Sequence, residues 1–158
     1  MKLDYAHSMA MICLMIAAPG VAMATDGKAV YDGHCAACHQ ADGNGSLGLA
    51  PPLQGTLGKR AASPVGRRYI AGIMIAGLAG KLESRGVTYS GIMPTWAALS
   101  DDELAAVANF VLGTFNADQL APDFEPLAPA EFAALRSARP AAKDLRAWRN
   151  ESEPAGTK

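Results

Sequence analysis

Cys35-Ala-Ala-Cys38-His39 poses the chemical question for this chain: two thiols three positions apart, with an imidazole directly after the second. That spacing serves three chemistries. A structural zinc site uses Cys and His but needs four ligands, commonly from two separated pairs. A dithiol redox centre uses Cys-x-x-Cys at the start of a helix that follows a buried strand in a βαβ setting. Covalent haem attachment uses Cys-x-x-Cys-His, because two thioether bonds fix the porphyrin edge and the next residue then presents its imidazole to the iron.

The first residues decide which thiols and imidazoles compete for these roles. "MAMICLMIAAPGVAMA" is an apolar run closed by small residues, with Ala22 and Ala24 flanking Met23 as a signal peptidase requires, so residues 1–24 read as a secretory signal cleaved after Ala24. As a membrane anchor the run is shorter than the roughly 20 residues needed to span, and Pro19-Gly20 breaks it. Cys13 and His7 leave with this peptide. From Thr25 onward the cysteines are Cys35 and Cys38 and the histidines His34 and His39. A second ligand pair for zinc is therefore lacking, and no βαβ alternation supports a dithiol. The residues favour haem attachment, and an exported, periplasmic location suits it.

A low-spin electron carrier also needs a sixth iron ligand, and His/Met ligation raises the reduction potential. Outside the signal the methionines are Met74 and Met93. Met74 sits in the apolar stretch "YIAGIMIAGL", where methionine commonly fills a core. Met93 precedes Pro94, which disfavours helix at Met93 and holds it extended. Met93 is the candidate ligand. His34, beside an attached cysteine, is poorly placed as an alternative ligand and reads as a solvated side chain.

The elements that must position these residues are helical. An Asp or Thr cap opens a short helix through Val30 and Tyr31. "QADGNGSLGLAPPLQGTLG" is an irregular Gly/Pro-rich loop. Ser63 as cap and Pro64 at the first position start a helix in which Tyr69, Ile73 and Ala76 form a core stripe. "KLESRGVTYSGIMPTW" reads as a loop with hairpin-like turns, and Ser100 with Glu103 caps a helix whose apolar face is Leu104, Val107, Val111 and Leu112. From Asn116 the chain is Pro-rich, with two short helices docking through Phe132, Leu135, Leu145 and Trp148, and a frayed end.

In this order the segments "GKAVYDGHCAACH", "DGNGSLG", "PPL", "YIAGIMIAGL", "YSGIMPTW" and "LSDDELAAVANFV" resemble the class I mono-haem cytochromes c of the bacterial periplasmic type, over residues 26 to 116. The resemblance implies an all-α class I cytochrome c fold around one covalent haem c. With the signal (1–24) set aside, the chain divides into a cytochrome c domain (25–116) and a Pro-rich extension (117–158) that the resemblance does not cover. The resemblance also implies Cys35 and Cys38 as attachment sites, His39 as proximal and Met93 as distal ligand, and Pro51, through the Pro-x-Leu match with Leu53, as carbonyl partner of the His39 ring. Gly27, Tyr31 and Phe110 fall where family members cross their first and last helices. Tyr89 and Trp96 flank the methionine loop, near the haem edge or simply packed.

Charge bounds the partners. From Gly55 to Thr95 six basic residues face one acid, while Trp96 to Lys158 holds ten acids and six bases. Such a separation gives a dipole able to orient a partner. Arg67 and Arg68 are either contacts for an acidic partner or surface charges. Lysine and arginine lack the density for nucleic-acid binding, and after signal removal no run is long enough to span a membrane. With both axial positions filled the protein is expected to carry electrons rather than act as an enzyme, between a periplasmic dehydrogenase and a terminal oxidase or another cytochrome of a respiratory chain. A ligand-binding sensor or peroxidase with a labile methionine is the alternative. A structural subunit docked through its tail to a dehydrogenase or oxidase is another.

Overall fold

The computed structural model describes residues 25–153. The signal read in residues 1–24 lies outside the described residues, as do residues 154–158, where the last few residues were expected to fray. Asp26 opens α1 (Gly27–His34), its carboxylate accepting the Lys28 and Ala29 N–H groups that a helix start leaves unpaired. Cys35 interrupts the run, and α2 (Ala36–His39) follows as a single turn. After the Gly/Pro loop come α3 (Gly58–Ala61) and α4 (Pro64–Ala76). Ser63 caps α4 through the Gly66 N–H, with Pro64 at the first position, where its missing N–H is not needed. The capping box of Ser100 and Glu103 starts α5 (Asp101–Phe115).

Between α4 and α5 the turns expected from sequence contain two short antiparallel ladders. β1 (Leu78–Ala79) pairs with β4 (Ile92–Met93), enclosing the hairpin of β2 (Leu82–Ser84) and β3 (Val87–Tyr89). Strands of two or three residues leave no alternation to read, so the helical fold class stands with these small additions.

Helices α1 and α5 cross at Gly27: a Cβ there would lie 2.2 Å from the Ala106 carbonyl oxygen. Tyr31, fully buried, seals the crossing. Its ring packs on Phe110 at 5.4 Å and Phe115 at 5.3 Å, and its hydroxyl donates to the Gln40 carbonyl at 2.6 Å. Gly27→Val must push the two helices apart, so we expect a loss of about 1–3 kcal/mol or more, the usual cost of overpacking. A lower urea midpoint at unchanged m-value would register it.

The buried face of α4 is wider than the stripe Tyr69, Ile73, Ala76. Tyr69, Ile70, Ala71, Gly72 and Ile75 are buried, whereas Ile73 and Ala76 are half-exposed. Two partners explain this. The Pro-rich segment returns as α6 (Pro129–Ser137) and α7 (Ala142–Glu151), both of which pack on α4, while Ile73 and Met74 line a cavity on another side. Phe132 and Leu145 are completely buried, and Phe132 joins Leu127, Ile75, Leu104 and Leu112 in one apolar cluster. Leu135 and Trp148 pack against its margin.

Polar groups fasten the same return. Asn116, fully buried, accepts the N–H groups of Thr56, Leu57 and Gly58 and donates to the Leu53 and Val111 carbonyls. A buried amide satisfied in this way fixes loop to helix. Arg67 binds Glu131 through two nitrogens, at 2.9 and 2.7 Å, and also the Glu125 and Pro126 carbonyls. Arg68 lies 5.4 Å from the Trp148 ring centroid. Arg60, buried, binds Glu153, Ser152 and the Arg149 carbonyl. Basic and acidic stretches separated in sequence thus partly meet inside the fold, and both Arg67 and Arg68 have partners within the chain.

Candidate functional site

Cys35, Cys38, His39, Pro51, Met74 and Met93 line a single cavity of about 560 Å³. Cys35 caps the single turn of α2, which carries Cys38 and His39, and all three line the cavity. His39 is buried, 8 % exposed, with Nδ1 3.0 Å from the Pro51 carbonyl oxygen. A carbonyl can only accept, so Nδ1 carries the hydrogen and Nε2 keeps its lone pair for a metal. Burial pushes the His39 pKa below its ordinary value and so favours the neutral ring that can coordinate, while the Pro51 bond acts the other way. Gly45 makes this contact feasible. Its N–H donates to the His39 carbonyl at 2.9 Å, its φ is +74°, and a Cβ would sit 2.8 Å from the Pro51 oxygen.

Cys35 and Cys38 are not joined to each other, and burial followed by the Cys38 charge pushes the Cys35 thiol up to about 11. A redox dithiol needs the opposite, a depressed pKa. Among the described residues no three Cys, His, Asp or Glu side chains cluster as metal ligands, so a closed zinc site has no framework there.

The two methionines differ in their surroundings. Met74 packs against both apolar clusters of the core, and its carbonyl accepts the Trp96 N–H at 2.8 Å. Met93, half-buried, lies outside both clusters. It reaches the cavity because Gly77, at φ +70°, ends α4 so closely that a Cβ would meet the Met93 carbonyl at 2.6 Å. Tyr89 and Trp96 stand on the cavity wall, and the exposed His34 meets Trp96 edge-on at 5.2 Å.

Several wall residues carried no sequence signal. Lys59, Arg60, Arg85 and Arg149 face the cavity with Glu153, making its polar part mainly cationic. Leu49 and Ile92, 53 % and 74 % exposed, stand at its edge where the Ser90 and Gly91 N–H groups bind the Gly48 and Leu49 carbonyls. Exposed apolar residues and paired arginines recur on many surfaces, so only the folded neighbourhood singles these out.

The family model for cytochrome c matches residues 24–115. The chain belongs to the class I mono-haem cytochromes c. This cytochrome is 36% identical over 119 residues to cytochrome c-552 of Thermus thermophilus, covering 75% of its own length and 80% of that relative. It is 36% identical over 86 residues to cytochrome c6 of Chlorolobion braunii, covering 54% of itself and 83% of the relative. A fructose dehydrogenase cytochrome subunit of Gluconobacter japonicus is 31% identical over 99 residues, 58% of this chain but 19% of that protein. The cytochrome is a mono-haem electron carrier with one covalently attached haem c. Its cavity fits that group: thiols and an imidazole on one wall, apolar walls from α4 and α5 for a macrocycle, and a cationic portion for the two propionates. No helix among the described residues is long and apolar enough to cross a membrane.

Proposed function

We propose that this cytochrome c carries single electrons in the periplasm, from a dehydrogenase to a terminal oxidase or a further cytochrome. In this reading Cys35 and Cys38 form the thioethers, His39 and Met93 fill the axial positions, and the Pro51 carbonyl orients the His39 ring. When bound, the haem supplies the one-electron chemistry. The observation that carries the assignment is the convergence of α2, the Pro51 loop and β4 on one largely apolar cavity. His39 is prepared as a neutral ligand with its donor side occupied. Met93 offers a thioether from a segment packed against neither core cluster.

Leu49 and Ile92, exposed apolar residues, stand on the cavity's edge, and Leu47, 84 % exposed, lies two residues before Leu49. Such an edge suits brief contact with a redox partner, because apolar contact in a small area releases readily. The fructose dehydrogenase cytochrome subunit among the relatives supports a dehydrogenase as donor. Export by the signal in residues 1–24 completes the placement, and N-terminal sequencing of the exported protein should begin at Thr25.

The absorption spectrum of the exported protein tests the site. Haem that resists acid-acetone extraction, sharp reduced c-type bands and the weak far-red band of a methionine–ferric iron bond are expected. A covalent but high-spin haem that binds carbon monoxide at neutral pH would overturn the carrier in favour of ligand-binding chemistry.

A further inference from the structure

We infer that Arg136, Arg139, Arg146 and Arg149 of the C-terminal extension are positioning residues for the iron's sixth ligand, clamping the segment that carries Met93. The inference rests on the reading of Met93 as that ligand.

The ladder that presents Met93 is short. β4 pairs with β1 over two residues, Met93 opposite Leu78 and Ile92 opposite Ala79. An isolated two-stranded ladder is marginal in water even at greater length. Additional ties within the loop's own neighbourhood are the Thr95 hydroxyl on the Ile75 carbonyl at 2.7 Å and the Trp96 N–H on the Met74 carbonyl. These hold the exit of the loop.

The extension holds the entry and adds to the exit. Arg139 donates to the Ala76 carbonyl at 3.1 Å, just before β1. Arg146 forks onto the Ala79 and Lys81 carbonyls at 2.7 and 2.9 Å, the end of β1 and the residue before β2. Arg149 reaches the Glu83 carbonyl within β2. Arg136 binds the Ala97 and Leu99 carbonyls and Asp101, beyond β4. Six backbone carbonyls between residues 76 and 99 thus accept from four guanidinium groups. A charged donor makes a stronger hydrogen bond than a neutral one, and the rigid fork of arginine fixes two carbonyls at once. Both α6 and α7 are themselves anchored in the core by Phe132 and Leu145, so the bonds refer the loop to a rigid body.

The consequence lies in ligand competition. An external ligand can take the sixth position only in molecules where Met93 has withdrawn, so its apparent affinity scales with the population of that open form. Loosening β1 raises this population.

The test uses the exported protein with haem attached, with imidazole as probe. Arg139→Gln with Arg146→Gln should bind imidazole to the ferric protein at least tenfold more tightly. Arg146→Lys, which keeps the charge and loses the fork, should fall between. Arg67→Gln supplies the contrast. It removes the ties to Glu131, Glu125 and Pro126, away from the methionine loop, and should lower the melting temperature while leaving imidazole affinity unchanged. Unaltered imidazole binding in the double variant, or an equal gain in Arg67→Gln, overturns the clamp while leaving Met93 as ligand. A wild-type protein without the far-red band, or Met93→Ala retaining it, removes the ligand reading and the clamp together.

Discussion

Met93→Ala should leave the haem covalently attached, abolish the far-red band and let the reduced protein bind carbon monoxide. In the proposed assignment attachment rests on Cys35 and Cys38, at the start and within α2, which the substitution does not touch. The sixth position loses its thioether, and alanine offers no donor to replace it. A His/Met pair favours the reduced iron, so the reduction potential should fall, by on the order of 100 mV within the span of about 0.8 V that axial ligands command. Met74→Leu is the comparison. Met74 lies between two apolar clusters, where leucine is close in volume, so a change under about 1.5 kcal/mol in stability and an unaltered spectrum are expected. Redox titration and spectra of both variants check the pair. Loss of the band in Met74→Leu with retention in Met93→Ala would exchange the two assignments.

Phe132→Ala should destabilise the protein by about 3–5 kcal/mol, the range for emptying an aromatic core position. The side chain is fully buried and shares its cluster with Ile75, Leu104 and Leu112 of α4 and α5. A cavity there weakens the main helices directly, although Phe132 belongs to the extension. Against a total stability of about 5–15 kcal/mol such a loss is large. Urea or thermal melts followed in the far-ultraviolet measure it, and a loss below about 1 kcal/mol would mean that the extension does not share the core. Covalent haem should survive in the variant, which separates a folding defect from a failure of attachment.

The caps of the three principal early helices were legible because each is a local device: Asp26 on its own next residues, Ser63 before Pro64, Ser100 with Glu103. The docking role of Phe132 and Leu145 was also legible, since large apolar residues in a short, otherwise polar helix have little alternative to burial. Ile73 was harder. Helical period identifies an apolar face but gives the same signal for a protein core and for the wall of a cofactor cavity, and Ile73 lines the cavity. Arg67 and Arg68 were ambiguous for a related reason, since their partners Glu131 and Trp148 lie far along the chain.

Residue type and spacing alone marked the candidate site of this cytochrome: two thiols and an imidazole in one motif, one methionine before a proline, and helices started by local caps. Tertiary structure decided what those groups face. The Pro51 carbonyl reaches the His39 ring because Gly45 lets the loop fold back. The arginines of α6, α7 and the link between them acquire their meaning from carbonyls at residues 76 to 99. A backbone carbonyl is the same acceptor in every residue, so no sequence pattern announces which one a guanidinium will meet; only the packing of the extension on α4 selects it.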